Sequence, residues 1–393
     1  MKKPILTVAA LLAGLASYAQ VGNNATIRQP GAQNTAIVNQ VGIGQVITVT
    51  QGAAEAAFGN QNAILAAQTG QYNIGEVLQS GNANQATQTQ QGKSNGAWLE
   101  QSGSGNSARL FQFGDFNGIG PIPGATILQS GDGNDAELGQ TGNDNSASLA
   151  QTANRNLARL TQTGDQQSAT LNQDANDNRA TLAQEGSQNS ATLTQTADNN
   201  QADLSQTGEE NKASLWQTAA NNRAQLTQNG EQNVADIQQT ADANQAGLRQ
   251  EGSENRAKLT QSGNQNEATA AQDGTSNRLV LNQDGTQNQA FFDQSGSENR
   301  ADVRQSARYG SASLTQAGTD NTGSVVQTAR NAAATVVQSG SENWASVAQS
   351  GRDTQADIMQ YGDENRASVS QSVLANRAAV LQGVLGNAGS TQA

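Results

Sequence analysis

The acidic side chains are the residues of this chain whose type and spacing could do chemistry. Glu210, Glu254 and Glu298 recur at multiples of 22 residues and could be mistaken for the paired acids of a glycosidase. That reaction needs one pair of carboxyl groups in different environments, so that one is protonated while the other is ionised. A series of equivalent acids does not create this difference. The sequence therefore predicts that the protein is not an enzyme.

The sequence contains few of the residues and motifs that bind metal ions or cofactors. The chain has no His and no Cys, which removes the commonest general base and metal ligand and all thiol chemistry. The Gly-Ile-Gly segments at residues 42–44 and 118–120 lack the third glycine of a dinucleotide-binding loop. A net charge of −12 argues against a nucleic-acid partner. We therefore expect no cofactor, metal ion, nucleic acid or small-molecule substrate.

Hydrogen bonding between side-chain amides is the chemistry that the sequence does support. Gln recurs every eleven residues from Gln140 to Gln382, at 23 positions without one substitution. Each Gln belongs to the unit Asn-x-Ala-x-Leu-x-Gln-x-Gly/Ala-x-x. An amide stacked on its copy can donate to one neighbour and accept from the other, as in cross-β structures. The residues that we take to represent this structural ladder are Asn145, Ala147, Leu149, Gln151, Asn189, Ala191, Leu193, Gln195, Asn233 and Gln239.

The spacing within the unit indicates β-strands. Asn, Ala, Leu and Gln lie two residues apart, which puts all four on one face of a strand. On a helix, Ala and Leu two apart would point about 200° from each other. An eleven-residue period is also typical of right-handed coiled coils, but those need apolar residues at three- and four-residue steps. The sequence therefore favours strand–turn repeats over a long helix.

The turns suggest that the true repeat is twice as long. Glycines in the middle of the chain alternate with alanines such as Ala175 and Ala197, which gives a 22-residue repeat of two strands and two turns. Later this alternation blurs, because Gly263, Gly274 and Gly285 are consecutive turn residues. The predicted turn glycines are Gly142, Gly164, Gly186, Gly208 and Gly230.

These patterns predict an all-β, parallel two-sheet β-solenoid that forms amyloid, with two strands per 22-residue coil and about sixteen coils. Two sheets would face each other across a thin core of Ala and Leu. Most solenoids cap their ends, and we expect no cap here. Open ends with the same inward pattern should then accept each other head to tail and form a filament. The predicted end-templating residues are Asn23, Gln29, Asn376 and Gln382.

The predicted organisation has three parts. Residues 1–19 read as a secretory signal peptide, with Lys2 and Lys3 before a short apolar core and a cut ahead of Gln20. Residues 20–382 form one solenoid, with six-residue loop insertions within 52–61 and 113–124 that leave the strand faces unshifted. Residues 383–393 form a degenerate C-terminal tail.

The repeat resembles the curlin repeat family, the subunits of bacterial curli fibres. The family pattern Gln-x-Gly-x-x-Asn-x-Ala-x-x-x-Gln is found at residues 140–151 and again at 184–195. The resemblance implies a secreted functional amyloid that crosses the periplasm and outer membrane unfolded and forms cell-surface fibres of the biofilm matrix. It implies self-association as the main partnership, together with a nucleator and an outer-membrane export pore. Whether the chain is the main subunit or a nucleator stays open.

The main alternative is a monomeric secreted β-solenoid, either an adhesin or an ice-binding protein. An ice-binding face should present a regular outward Thr ladder, and the outward position between Ala and Leu holds only a short run at Thr170, Thr181 and Thr192. Outward charges could form a binding stripe, but we favour a role in solubility and in preventing premature aggregation.

Overall fold

The computed structural model describes residues 22–30, 33–52, 61–118 and 124–383. Chain contacts divide the protein into two compact units, Met1–Asn199 and Asn200–Ala393. Every regular element in the described residues is a β-strand. The expected signal peptide at residues 1–19, the tail from residue 384 and the two prolines at 121 and 123 lie outside these ranges.

The first unit contains the strands β1 to β15. Its odd-numbered strands pair in order as one parallel sheet, and its even-numbered strands pair as a second. The strands are β1 (Asn24–Arg28), β2 (Thr35–Ile43), β3 (Val46–Gln51), β4 (Ala63–Gln71), β5 (Ile74–Gln79), β6 (Gln85–Lys93), β7 (Gly96–Gln101), β8 (Ser107–Phe113), β9 (Ala125–Gln129), β10 (Asp135–Thr141), β11 (Ser146–Gln151), β12 (Leu157–Asp165), β13 (Ser168–Gln173), β14 (Arg179–Ser187) and β15 (Ser190–Gln195).

The second unit contains β16 to β32 and follows the same rule, with separate parallel sheets of even- and odd-numbered strands. The strands are β16 (Gln201–Glu209), β17 (Lys212–Gln217), β18 (Arg223–Glu231), β19 (Val234–Gln239), β20 (Gln245–Ser253), β21 (Arg256–Gln261), β22 (Glu267–Thr275), β23 (Arg278–Gln283), β24 (Gln289–Ser297), β25 (Arg300–Gln305), β26 (Ser311–Thr319), β27 (Thr322–Gln327), β28 (Ala333–Ser341), β29 (Trp344–Gln349), β30 (Gln355–Tyr361), β31 (Arg366–Gln371) and β32 (Arg377–Gln382).

The register stacks each inward residue on its copy one coil further along. Between β12 and β14, for example, Leu160 pairs with Leu182 and Gln162 with Gln184. Alternate residues are buried in almost every strand, as a period-two pattern requires. The predicted fold class, an all-β parallel two-sheet solenoid with two strands per coil, is therefore confirmed.

At two places the pairing step lengthens from 22 to 28 residues. Gln40 pairs with Gln68, and Gln112 pairs with Gln140, so every inward residue keeps its face. Residues 53–60 and 119–123, which belong to the connections between these strands, lie outside the described ranges. The extra residues thus change the connection between strands without changing the strands.

The two turns of a coil differ in backbone conformation. At the carboxyl ends of the even-numbered strands from β12 onward, where the chain enters the turn, the glycines have positive φ, such as Gly274 (φ 118°), whereas Gly263 and Gly285 in the other turns do not. The consecutive glycines late in the sequence therefore occupy two unlike positions. The 22-residue repeat persists there although the residue types no longer show it.

Candidate assembly site

The inward glutamines form two columns, one in each sheet, and both have the same direction of hydrogen bonding. Gln151 Nε2 donates to Oε1 of Gln173, one coil further along, at 2.9 Å. The same nitrogen donates to the backbone carbonyl of Asp135 at 3.2 Å, at the start of the facing strand β10. In the second unit Gln239 repeats the arrangement, with 2.8 Å to Gln261 Oε1 and 3.1 Å to the carbonyl of Arg223. Each Gln therefore joins consecutive coils and also ties one sheet to the other.

The inward asparagines bind mainly to the backbone of the turns, and some of them add the amide-to-amide stacking that the sequence suggested. Asn145 Nδ2 donates to the turn carbonyl of Gly164 at 2.7 Å, and Asn145 Oδ1 accepts from the backbone N–H of Gln167 at 3.0 Å. Asn189 Nδ2 likewise donates to the carbonyl of Glu185 at 3.2 Å. The shorter side chain reaches the turn backbone, so Asn satisfies turn groups that would otherwise be buried without partners. Asn233 adds a true amide contact, because its Nδ2 also lies 3.1 Å from Asn211 Oδ1.

The apolar ladder residues line the thin core between the sheets. Leu149 and Leu193 are completely buried, and Ala147 and Ala191 are almost so. Gln151 and Gln195 are also fully buried, which explains why their amides need partners at every coil. In the first unit the structure thus brings the predicted ladder residues together as stacked columns, with Gln167 standing in the column between Asn145 and Asn189.

The five predicted turn glycines occupy one kind of position. Gly142, Gly164, Gly186, Gly208 and Gly230 all have positive φ, between 109° and 122°. At Gly230 a Cβ atom would collide with the carbonyl oxygen of Gly252 in the next coil. Glycine is needed there for the backbone conformation and for the close stacking of turns.

Sequence reasoning missed the residue just before each inward Asn or before the residue that takes its place, such as Gly310 after Tyr309. It has a left-handed backbone in turn after turn, with types as different as Arg155 (φ 57°), Ala243 (φ 58°) and Tyr309 (φ 62°). The absence of β-branched residues from this position could have predicted its conformation, because Val, Ile and Thr never occur among the described residues with positive φ. β-Branched residues strongly disfavour positive φ.

The first described coil leaves its inward side chains partly open. Asn23, Ile27 and Gln29 are half-buried and Ala25 is exposed, whereas their copies in later coils are buried. Asn23 Nδ2 donates to the carbonyl of Gly42 at 3.0 Å, and Gln29 Nε2 donates to Gln51 Oε1 at 2.6 Å. Both amides donate into their own coil stack, and Asn23 Oδ1 also accepts from the backbone N–H of Gln45 at 3.0 Å, so the acceptor side that faces outward is that of the Gln column at Gln29.

The last described coil exposes the donor side of the Gln column that belongs to the even-numbered strands. Gln382 is half-buried, accepts from Gln360 Nε2 at 2.8 Å and donates to the carbonyl of Arg366 at 2.8 Å. Val380 and Ala378 beside it are also half-buried, and Asn376 is exposed. An amide nitrogen carries two protons, so Gln382 keeps donor capacity for a further coil.

Charged groups lie outside the core. Arg155 and Asp177 stack on neighbouring coils at 2.5 Å. The hydrogen bond from Arg155 holds the pKa of Asp177 below its ordinary value, and the same contact raises the pKa of Arg155. A lowered carboxyl pKa contributes stability that is present at neutral pH and is lost as the pH falls through the lowered value.

These observations define a class of protein, the β-solenoids whose coils are held together by columns of buried amides. The sequence model of the family described as "Curlin associated repeat" matches nine segments, which together cover more than half of the chain. The matched residues are 124–152, 153–186, 175–208, 197–230, 230–263, 252–285, 274–306, 330–362 and 340–372. The chain therefore belongs to the curlin repeat family, which is a family of structural subunits. No curated protein matches it. The described part of the chain also contains no helix with the length and apolar character needed to cross a membrane.

Proposed function

We propose that this protein is a secreted structural subunit of curli-like extracellular amyloid fibres. It assembles head to tail through open coil ends, builds biofilm matrix and mediates surface adhesion. Its partners are other copies of itself, with a nucleator and an outer-membrane export pore of the curli type. Membership of the curlin repeat family supports this function.

The uniform direction of the two glutamine columns carries the proposal. Gln29 begins the column of the odd-numbered strands and presents its acceptor side, and Gln382 ends the column of the even-numbered strands and presents its donor side. If the last coil of one copy lies on the first coil of the next, β31 meets β1 and β32 meets β2. Both sheets and both Gln columns then continue across the junction. A contact between two different surfaces does not close on itself, so repetition gives a filament.

The direct test of assembly is time-resolved thioflavin fluorescence of the purified chain, with electron micrographs of the end product. We expect a lag followed by growth, and a shorter lag when preformed fibres are added. A chain that folds at once and stays monomeric at micromolar concentrations would contradict end-to-end assembly.

Secretion needs a separate test. N-terminal sequencing of protein recovered from the medium should begin at Gln20, because residues 1–19 are proposed to be a cleaved signal peptide. Protein found only inside the cell, or extracellular protein that retains Met1, would contradict this part of the proposal.

A further inference from the structure

Three consecutive coils of the second unit carry a column of arginines, which we call the arginine edge: Arg308, Arg330 and Arg352. They lie in the turns that follow β25, β27 and β29, and all three are exposed. The turns stack directly, since Asn331 N–H donates to the carbonyl of Arg308 and Asp353 N–H donates to that of Arg330. The guanidinium groups therefore repeat at the strand spacing of about 4.8 Å.

The side chain of Tyr309 helps to hold this edge in place. Its ring centroid lies 5.4 Å from the guanidinium carbon of Arg308 and 5.3 Å from that of Arg330. Cation–π contacts of this kind favour an ordered guanidinium over a freely moving one. The one carboxylate in these turns, Asp353, accepts a hydrogen bond from Asn331 Nδ2 at 2.7 Å.

The turns at the other end of the strands carry a column of acids, which we call the acidic edge: Glu298, Asp320, Glu342 and Glu364. They follow β24, β26, β28 and β30, and all four are exposed. Each takes the left-handed position before an inward Asn, with φ between 54° and 58°. The same coils thus present acids at one edge and arginines at the other, separated by a strand length of about 20 Å.

The charges of the two edges are not neutralised by ion pairs within their own unit. None of these seven residues takes part in an ion pair among the described residues. Two of the acids are followed two residues later by Arg300 and Arg366, but Asp320 and Glu342 are followed by Thr322 and Trp344. Solubility alone does not require the two signs to be separated, nor arginines to be stacked in a chain of net charge −12.

We propose that these edges form a lateral interface in which the arginine edge of one copy docks on the acidic edge of a second copy. Both columns repeat once per coil, so guanidinium and carboxylate groups meet in register along several coils, in the geometry that favours paired hydrogen bonds. Every copy carries both edges, so the contact can repeat sideways. This association goes beyond head-to-tail growth and does not depend on it.

The test compares two charge-matched triple variants at low and high salt. Arg308→Gln, Arg330→Gln and Arg352→Gln together remove the arginine edge. Arg223→Gln, Arg256→Gln and Arg278→Gln remove the same charge from the outward sheet faces. Sedimentation velocity of the soluble chain measures side-by-side pairing, and electron micrographs measure the width of any filaments.

We expect the unmodified chain and the sheet-face variant to pair at about 0.01 M salt and to separate at about 1 M, where screening shortens from about 30 Å to about 3 Å. The arginine-edge variant should stay single at both. If both variants behave alike, or if the unmodified chain stays single at low salt, the proposal is wrong. Sedimentation velocity measures side-by-side pairing of the soluble chain. A protein that fails to form filaments would therefore still give a valid result in this test.

A charge-reversed pair of variants gives a second, independent test. One variant carries Arg308→Glu, Arg330→Glu and Arg352→Glu, and the other carries Glu298→Arg, Asp320→Arg, Glu342→Arg and Glu364→Arg. Arginine fits this backbone position, since Arg155 adopts it with φ 57°. Each variant alone should stay single, and an equal mixture should pair. A mixture that stays single although both variants retain their β-sheet circular dichroism would overturn the proposal.

Discussion

The difference between a glutamine and an asparagine, one methylene group, decides what each amide does in this protein. The longer side chain of Gln reaches both the next Gln and the backbone of the facing strand, as Gln151 does toward Gln173 and Asp135. The shorter side chain of Asn reaches mainly the turn backbone, as Asn145 does toward Gly164, and in some coils also the Asn of the preceding coil, as Asn233 does toward Asn211. A buried amide that loses its partners is costly, so both positions tolerate few alternatives.

Replacing Gln239 by Ala should unfold the surrounding coils locally. The change removes one acceptor of Gln217 Nε2, which keeps its bond to the carbonyl of Gln201, and it leaves Gln261 Oε1 without its donor at 2.8 Å. Each buried group left unpaired costs about 1–3 kcal/mol. Native-state hydrogen exchange should show lost protection in β17, β19 and β21. The matched control is Gln238→Ala on the outward face of the same strand, and equal losses in the two variants would contradict this role.

At the same scale, the sequence predicted the inward residues but not the turn conformation. The two-residue spacing of Asn, Ala, Leu and Gln is enough to assign a strand face, because alternation follows directly from backbone geometry. The left-handed residue before each Asn has no such marker, since Arg155 and Ala243 adopt nearly the same φ with unrelated side chains. Stacking of the turn backbone imposes this conformation, and single-residue preferences do not reveal it.

At the scale of elements, facing strands compensate for each other in ways that a repeat pattern hides. In β6, Gln88 occupies the inward position that is usually Leu, and it is fully buried with an unpaired Oε1. In the facing strand β5, Gly75 occupies the usual Ala position, and a Cβ there would overlap Nε2 of Gln88. The small residue thus makes room for the larger polar one across the core.

This pairing predicts strong coupling between two substitutions. Gly75→Ala alone should destabilise the first unit, because the new methyl group meets Gln88. Gln88→Leu removes a buried unpaired oxygen, and the double variant restores the usual Ala–Leu packing, which should stabilise these coils by about 1–3 kcal/mol. A double-mutant cycle followed by hydrogen exchange in β5 and β6 measures the coupling. Additive effects would show that the two side chains do not compete for space.

At the scale of the whole molecule, the sequence predicted the coil and the number of repeats because one short unit specifies both. Long insertions are tolerated for the same reason: Gln112 meets Gln140 across 28 residues with its face unchanged. A slip of one residue would turn every inward side chain outward, so the amide columns also fix the register. The 22-residue spacing of the acids already indicates the acidic edge, but the sequence reasoning missed the arginine edge, because its three arginines lie in turns outside the repeated strand pattern.

The direction of the columns predicts where substitutions slow fibre growth. Gln29→Ala and Gln382→Ala should reduce the rate of elongation on preformed fibres more than Gln151→Ala does, because the end residues are half-buried and meet the incoming copy. Loss of one hydrogen bond at the junction, about 0.5–1.5 kcal/mol net, corresponds to roughly 2–10-fold weaker addition. Gln151→Ala should instead lower protection from hydrogen exchange around β11, since Gln151 is fully buried. Seeded thioflavin kinetics with unmodified fibres measure elongation without nucleation. Equal slowing by all three variants would mean that the ends do not recruit new copies.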